Sequence, residues 1–425
     1  MSASTGADAT SPPLTNKVSR NKSPLFVGID LGRWLHVASV VDGNGEFEGE
    51  RGFAHSVEGI SDTIDWLTDL AEHDPQRISV AVEKPHGAVV ETLLLRGIAV
   101  FAINPKQVDR FRDRHSMSGA KDDRRDAFVL ADALRTDGHR FQQLISPPPD
   151  IVALRERLRS RSQLVKQHVA FSSQLRELMV GCWPHMLVLA PKNRTLDAFF
   201  CELLLLFFDH DNANIDSVHT LIRKHHIRRV SVDDVLRTFQ APPLYVAPGT
   251  LDATAAHVDL LVQQLLLVIR LHRDADQFLE RWFKQTSRDS LPTTDTAILA
   301  SLPGVGAFVL ASLLAHAYDA VRLRNLDALR SVGGVAPVTK QSGRRRQVLL
   351  RRARSQPLNF ALHHWAQAAV LRDSKSEEHY RRLRNKGHRH ARALRGVSDR
   401  LLSVAVAMLR NRTLYDSDKR KKLPS

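Results

Sequence analysis

Short apolar runs alternate with turn residues along the first third of the chain. Phe26-Val27-Gly28-Ile29-Asp30 is an apolar run that ends in an acid. His36–Val41 is a second run, Asp42-Gly43-Asn44-Gly45 is a strong hairpin signal, and Glu46–Phe53 returns as a third strand. The apolar spacing then becomes helical at Val57, Ile60, Ile64, Leu67 and Leu70, with Ser56 as candidate N-cap. A fourth strand, Ile78–Glu83, again ends in an acid. Val89–Arg96 reads as helix and Ile98–Ile103 as a fifth strand. Pro105 to about Met117 is a connector with some helix. Ala120–Leu134 is a helix opening with Lys121-Asp122-Asp123-Arg124-Arg125-Asp126-Ala127. A hairpin-linked triplet followed by alternating helices and strands predicts a mixed α/β sheet covered by helices.

Pro147-Pro148-Pro149 marks a boundary, and the pattern beyond it is helical. Ile151–Val180 is long, basic and amphipathic. A second long helix spans about Leu251 to Phe283, and the stretch 184–249 between them is broken by prolines. The pair reads as antiparallel helices joining two end domains, or equally as an ordinary helical domain. Near Asp295 a last, mainly helical domain begins. There Leu302-Pro303-Gly304-Val305-Gly306 separates two apolar helices in the manner of a helix-hairpin-helix, whose backbone N–H groups can approach a phosphate. Glycine in such a turn can equally serve only a tight bend. The expected division is a disordered stretch at 1–24, a catalytic domain at 25–146, a helical coiled-coil linker with insert at 150–290, a C-terminal domain at 295–412 and a basic tail at 413–425.

Charge changes this picture. The 425 residues carry 61 Lys and Arg against 46 Asp and Glu, a net of +15. Residues 1–150 are net acidic by 5, while residues 340–396 hold 16 basic and 3 acidic side chains. A concentrated basic segment reads as a docking face for phosphates. Two cysteines, Cys182 and Cys201, exclude a disulfide framework and a multi-cysteine zinc site. No uninterrupted apolar run reaches the roughly 18 residues of a membrane span, and residues 1–24 lack a signal-peptide core. A reduced cytoplasmic compartment is the expectation.

Four acids explain the acidic first third. Adjacent first and fourth strands would present Asp30 and Glu83 together, and the last helix would add Asp123 and Asp126, three apart on one face. Converging carboxylates repel unless a cation is bound, and hard oxygen ligands suit Mg²⁺ or Mn²⁺. Taken singly, each acid reads better as a turn former or a helix-dipole partner. Their joint occurrence in the right elements reverses that balance. Asp122, four residues before Asp126, is a competitor. Lys121, Arg124 and Arg125 surround these acids as candidate backbone contacts, or simply as charge balance on a solvated face.

A second constellation runs from Gly333 to Arg346. Ser342 sits there beside a glycine, with Lys340, Arg344, Arg345 and Arg346 close by and Arg351 and Arg352 just beyond. These cations could orient a phosphate for attack by the serine hydroxyl. From spacing alone, a loop serine that merely hydrogen-bonds a phosphate is favoured. His225-His226, His363-His364, His388 and His390 read as surface residues or phosphate contacts, and Trp365 and Phe360 as helix core. No nucleotide-binding glycine motif is present.

The strand order is similar to the ribonuclease H-like pattern. The two constellations together resemble the DEDD-type insertion-sequence transposases, the IS-one-ten family, which includes the pilin-gene invertase and the bridge-RNA-guided recombinases. The matching residues are Phe26–Asp30, Val80–Glu83, Lys121–Ala127, Leu302–Gly306 and Gly333–Arg346, across about 25–412. Asp122 stands where the family commonly has a small residue, and Lys84-Pro85-His86-Gly87 replaces a Thr-Gly type continuation. The resemblance implies a RuvC-like domain whose acids, here Asp30, Glu83, Asp123 and Asp126, bind Mg²⁺. It also implies a coiled-coil linker and a C-terminal domain whose serine, here Ser342, is the nucleophile. Gly304 and Gly306 would join the basic residues in holding nucleic acid. Implied partners are double-stranded DNA, a structured guide RNA and further copies of the chain in a homo-oligomer, at the nucleoid of a prokaryotic cytoplasm.

The expected function is therefore that of a transposase or recombinase of an insertion sequence. With acids and serine in different domains, subunits could complete one another's active sites. The alternatives are a RuvC-like structure-specific nuclease, which needs the acids but not Ser342, and a nucleic-acid-binding protein without catalysis.

Overall fold

The computed structural model describes residues 23–104, 107–111, 122–209, 213–342, 345–349 and 351–416. They fall into two compact units, Met1–Ser146 and Pro147–Ser425.

The first unit is built on one mixed sheet. Its strands are β1 (Leu25–Leu31), β2 (Leu35–Val41), β3 (Phe47–Ala54), β4 (Ile78–Val82), β5 (Ala99–Ala102) and β6 (Gln142–Gln143), in the order β3-β2-β1-β4-β5-β6. β1 runs antiparallel to β2 and parallel to β4, so the first and fourth strands are neighbours. Val27, Ile29, Val80 and Val82 point to one face and bury there against α1 (Val57–Leu70) and α2 (Ala88–Leu95). Ser56 caps α1, its hydroxyl accepting from Gly59 N at 3.1 Å. That cap stabilises the helix by about 1 kcal/mol. The other face carries α3 (Asp123–Asp137), whose Val129, Leu130, Ala133 and Leu134 bury against Ala81 and Ile103.

Two details differ from the sequence reading. β6 was not anticipated, because two consecutive glutamines at a sheet edge carry no apolar alternation. The last helix starts at Asp123, because Asp122 keeps an extended backbone and caps it. Most of the connector from Pro105 to Met117 lies outside the described residues, as do the first 22 residues and the tail from 417.

The second unit is mainly helical. Helices α4 (Pro149–Cys182) and α8 (Thr250–Asp289) lie antiparallel, joined along their length by an Arg161–Asp276 ion pair and by Leu175 packing with Val262 and Leu265. Between them come α5 (Ala198–Phe208), α6 (Ile215–Lys224) and α7 (Val232–Phe239). The apolar run around Phe199 forms the core of this insert, with Phe199, Phe200, Leu203 and Leu204 buried. Among the described residues α8 is the one helix long and apolar enough to cross a membrane. Polar residues such as Asp259, Gln263 and Gln264 interrupt it, so it contains no uninterrupted apolar run of that length. Its buried positions Val258, Leu261, Val262, Leu265 and Val268 lie on the side that packs within the unit.

At the other end of the helical pair, Leu154, Leu158 and Leu279 enter a core shared with α9 (Asp295–Ala300), α10 (Ala307–His316), α11 (Tyr318–Arg322) and α12 (Leu326–Val332). The hairpin β7 (Val338–Ser342) and β8 (Arg345–Leu349) follows, then α13 (Gln356–Arg372), α14 (Ser374–Asn385) and α15 (His390–Asn411). Trp365 is fully buried in this core, as its helical spacing suggested. Phe360 is not: it is 50% exposed and lies edge-on to His364, with centroids 4.3 Å apart. It lies within the same turns but on the opposite side of α13 from the buried stripe formed by Leu358, Ala361, Leu362 and Trp365.

Candidate active site

The carboxylate site follows from strand parity. In β1, Val27 and Ile29 face α1 and α2, so Gly28 and Asp30 face α3. The approach there is close: a Cβ on Gly28 would fall 1.9 Å from Ala127 O and 2.5 Å from Ala131 N. The missing side chain lets α3 lie directly on β1. Asp126 immediately precedes Ala127 and is 4% exposed, while Asp123, in the first turn, is exposed. On β4, Ala81 packs toward α3, and Glu83 shares its parity one position beyond the strand end. Ile29 pairs with Val82, so Asp30 and Glu83 follow adjacent register positions on parallel strands. Asp30, Glu83, Asp123 and Asp126 are thus brought to one end of the sheet on one side of it.

The four acids supply only oxygen donors, the set preferred by Mg²⁺ and Mn²⁺. Among the described residues no group of three or more His, Cys, Asp or Glu is placed so that it could hold a metal ion. The arrangement shares a face without being a closed coordination shell.

Asp122 is assigned a different task. Its side chain accepts from Arg124 N at 3.2 Å, and its carbonyl receives Asp126 N at 2.9 Å. As the extended cap residue it has its carboxylate engaged with the backbone of the first turn of α3. Arg124 is exposed and forms an ion pair with Glu50 of β3 at 3.1 Å. Arg125 is half-buried. Lys121 lies outside the described residues.

In the second unit, Ser342 is the last residue of β7, with Arg345 as its antiparallel partner. The sequence suggested a loop; Ser342 stands instead at the strand end beside the hairpin tip. The connecting residues, including Arg344, lie outside the described residues, as do the side chains of Lys340, Ser342, Arg345 and Arg346. The base of the hairpin is anchored: Asn359 Nδ2 donates to Gly333 O at 2.8 Å and Ser355 N to Val332 O at 2.8 Å. Arg352 is exposed and Arg351 half-buried.

The two glycines of the Leu302–Gly306 turn part company. Gly304 has φ +78°, and a Cβ there would lie 2.6 Å from Ala369 N in α13. Trp365 Nε1 donates to Pro303 O at 2.9 Å beside it. Gly304 therefore serves close packing onto α13. Gly306 has nothing within 4 Å and opens α10 without a side-chain cap. His225 also departs from expectation. Its side chain is largely shielded and reaches Glu202 at 3.1 Å, and Lys224 binds the same carboxylate.

The comparisons with known proteins agree on one family. A model described as the DEDD transposase of IS110 matches residues 27–184, and one described as the transposase of the IS116/IS110/IS902 family matches residues 296–381. The y4uE candidate transposase of Sinorhizobium fredii is 39% identical over 236 residues, which cover 53% of this chain and 61% of that protein. The mini-circle candidate transposase for IS117 of Streptomyces coelicolor is 28% identical across 93% of this chain and 96% of its own. The 44.8 kDa protein of insertion element IS116 from Streptomyces clavuligerus is 28% identical across 94% and 98%.

Proposed function

Because this chain belongs to the IS110 family of insertion-sequence transposases, we propose that it cuts and rejoins double-stranded DNA through four carboxylates and one serine. The observation that carries the proposal is the meeting of two parallel strand ends, at Asp30 and Glu83, under the helix that bears Asp123 and Asp126. In this reading the first unit is a RuvC-like catalytic domain, and its acids hold Mg²⁺ or Mn²⁺. Bound there, the ion would neutralise charge on the phosphodiester under attack. Asp126, held in the buried part of α3, fixes the rear of that carboxylate set, and exposed Asp123 faces the incoming strand.

Ser342 is the proposed nucleophile. Its Oγ forms a bond to phosphorus as the bond to the departing deoxyribose oxygen breaks. The serine proton ends on that oxygen, and the strand is held as a phosphoserine ester until rejoined. Lys121, Arg124 and Arg125 in the first unit would contact the backbone. Gly306 at the start of α10, and Lys340, Arg344, Arg345, Arg346, Arg351 and Arg352, would do so in the second. A structured guide RNA and further copies of the chain complete the assembly, at the nucleoid.

The test is a denaturing gel. Wild type and Ser342→Ala are incubated with Mg²⁺, DNA of the element ends and RNA from the element flanks. A covalent protein–DNA adduct seen with wild type and absent from Ser342→Ala supports the proposal. Cleavage that persists in Ser342→Ala without adduct, and that depends on Asp30, assigns the chain instead to metal nucleases using water.

A further inference from the structure

The turn that follows Asp30 carries a large aromatic ring in solvent. Trp34 is 71% exposed although it adjoins a well-packed sheet. An exposed tryptophan of this size needs an explanation that a scattered surface leucine does not. Its backbone is fixed: Trp34 O accepts from His55 N at 2.9 Å, and the preceding Leu31 O accepts from Lys84 Nζ at 3.0 Å. The neighbouring Arg33 guanidinium lies 5.3 Å from the centre of the ring. A flat ring is therefore held on a pinned turn with a cation beside it, four residues beyond Asp30. Lys84, next to Glu83, braces the same turn.

We propose that Trp34, with Arg33, is a stacking platform for an unpaired DNA base next to the phosphodiester that the carboxylates address; this rests on the function proposed above. Every base offers a π face, and aromatic rings and guanidinium planes are the groups on which splayed bases stack. Where the strand beside that phosphodiester is unpaired, a ring on the adjacent turn replaces part of the stacking its bases have lost. The flanking cations favour a polyanionic chain over an apolar protein surface.

The experiment measures binding in EDTA, where no strand is cut. Wild type, Trp34→Ala, Trp34→Leu and Trp34→Phe are titrated against a fluorescein-labelled 20-nucleotide oligo-dT, the matching RNA oligo-U and a 20-base-pair DNA duplex. Trp34→Ala and Trp34→Leu are expected to weaken oligo-dT binding about tenfold or more, with Trp34→Phe within about threefold of wild type. Duplex affinity is expected to stay unchanged within about twofold. In a second measurement, a 5-iodouracil-substituted DNA strand irradiated on the wild-type protein should crosslink at Trp34, located by peptide mass. Unchanged oligo-dT binding in Trp34→Ala, retention by Trp34→Leu, equal loss on duplex, loss confined to oligo-U, or absence of the Trp34 crosslink would each overturn the proposal. The two readings separate in the outcome: a wild-type protein that fails the cleavage assay with Mg²⁺ yet keeps the Trp34 dependence of oligo-dT binding refutes the catalytic reading alone.

Discussion

Gly28 of β1 and Ala127 of α3 stand so close that a single added methyl group would fall 1.9 Å from the Ala127 carbonyl oxygen. This contact sets the height of α3 above the sheet, and with it the position of Asp126 relative to Asp30. Gly28→Ala is expected to push the helix away, since backbone atoms cannot rotate aside as a side chain can. The expected cost is about 1–3 kcal/mol of stability, seen as a lower denaturant midpoint. DNA cleavage should fall further than that loss explains. A variant with wild-type stability and activity would sink this account.

Asp122 and Asp123 are neighbours with separable tasks. Asp122→Ala removes a cap and should cost about 0.5–2 kcal/mol, with Asp122→Asn recovering most of it and cleavage little changed. Asp123→Asn, exposed in the first turn, should leave the melting temperature within a degree or two while cutting cleavage about a hundredfold or more. Chemical denaturation and a DNA cleavage assay on the same preparations decide the matter. Equal activity loss from both would return Asp122 to the carboxylate set.

Gly304 and Gly306 should answer oppositely to alanine. At Gly304 the backbone is left-handed and the space is filled by Ala368 and Ala369 of α13, so Gly304→Ala should destabilise the second unit by about 2 kcal/mol or more. At Gly306 the space is open, so Gly306→Ala should fold normally and show its effect, if the N-terminus of α10 meets a phosphate, as weaker DNA binding. Thermal melts and DNA titrations of the two variants read this out directly.

His316, at the end of α10, supplies a pH dependence. Burial, together with the positive charges of Arg155 and Arg159 on α4, lowers its pKa from 6.5 to about 4. The folded state thus holds it neutral while the unfolded chain takes up a proton below about pH 6.5. Its contribution is complete above that pH and is lost progressively as pH falls toward 4. The full loss is at most about 3 kcal/mol, reduced where water screens the ring. Urea midpoints of wild type should fall between pH 7 and 4.5 more steeply than those of His316→Gln. Parallel slopes would refute the assignment.

Much of this protein was legible in its chain because the governing interactions are local. Alternation and turn residues foretold five strands, since side chains on a strand must alternate between its faces. Ser56 was recognisable as a cap from its place before a helical run, and the two long helices from their apolar spacing. The four acids could be picked out because each ends or opens an element. Other features depend on what arrives from elsewhere in space. β6 exists because β5 offers it an edge. Asp122 is a helix cap because the helix begins one residue after it. Gly304 is a packing glycine because α13, more than 50 residues later, lies against it, and the same helix turns Phe360 outward while it buries Trp365. Trp34 gives no periodic signal at all, and only the folded turn leaves it in solvent beside the carboxylates. Sequence determines what each segment prefers; which of those preferences are met, and what stands opposite each side chain, is decided when distant segments exclude water between them.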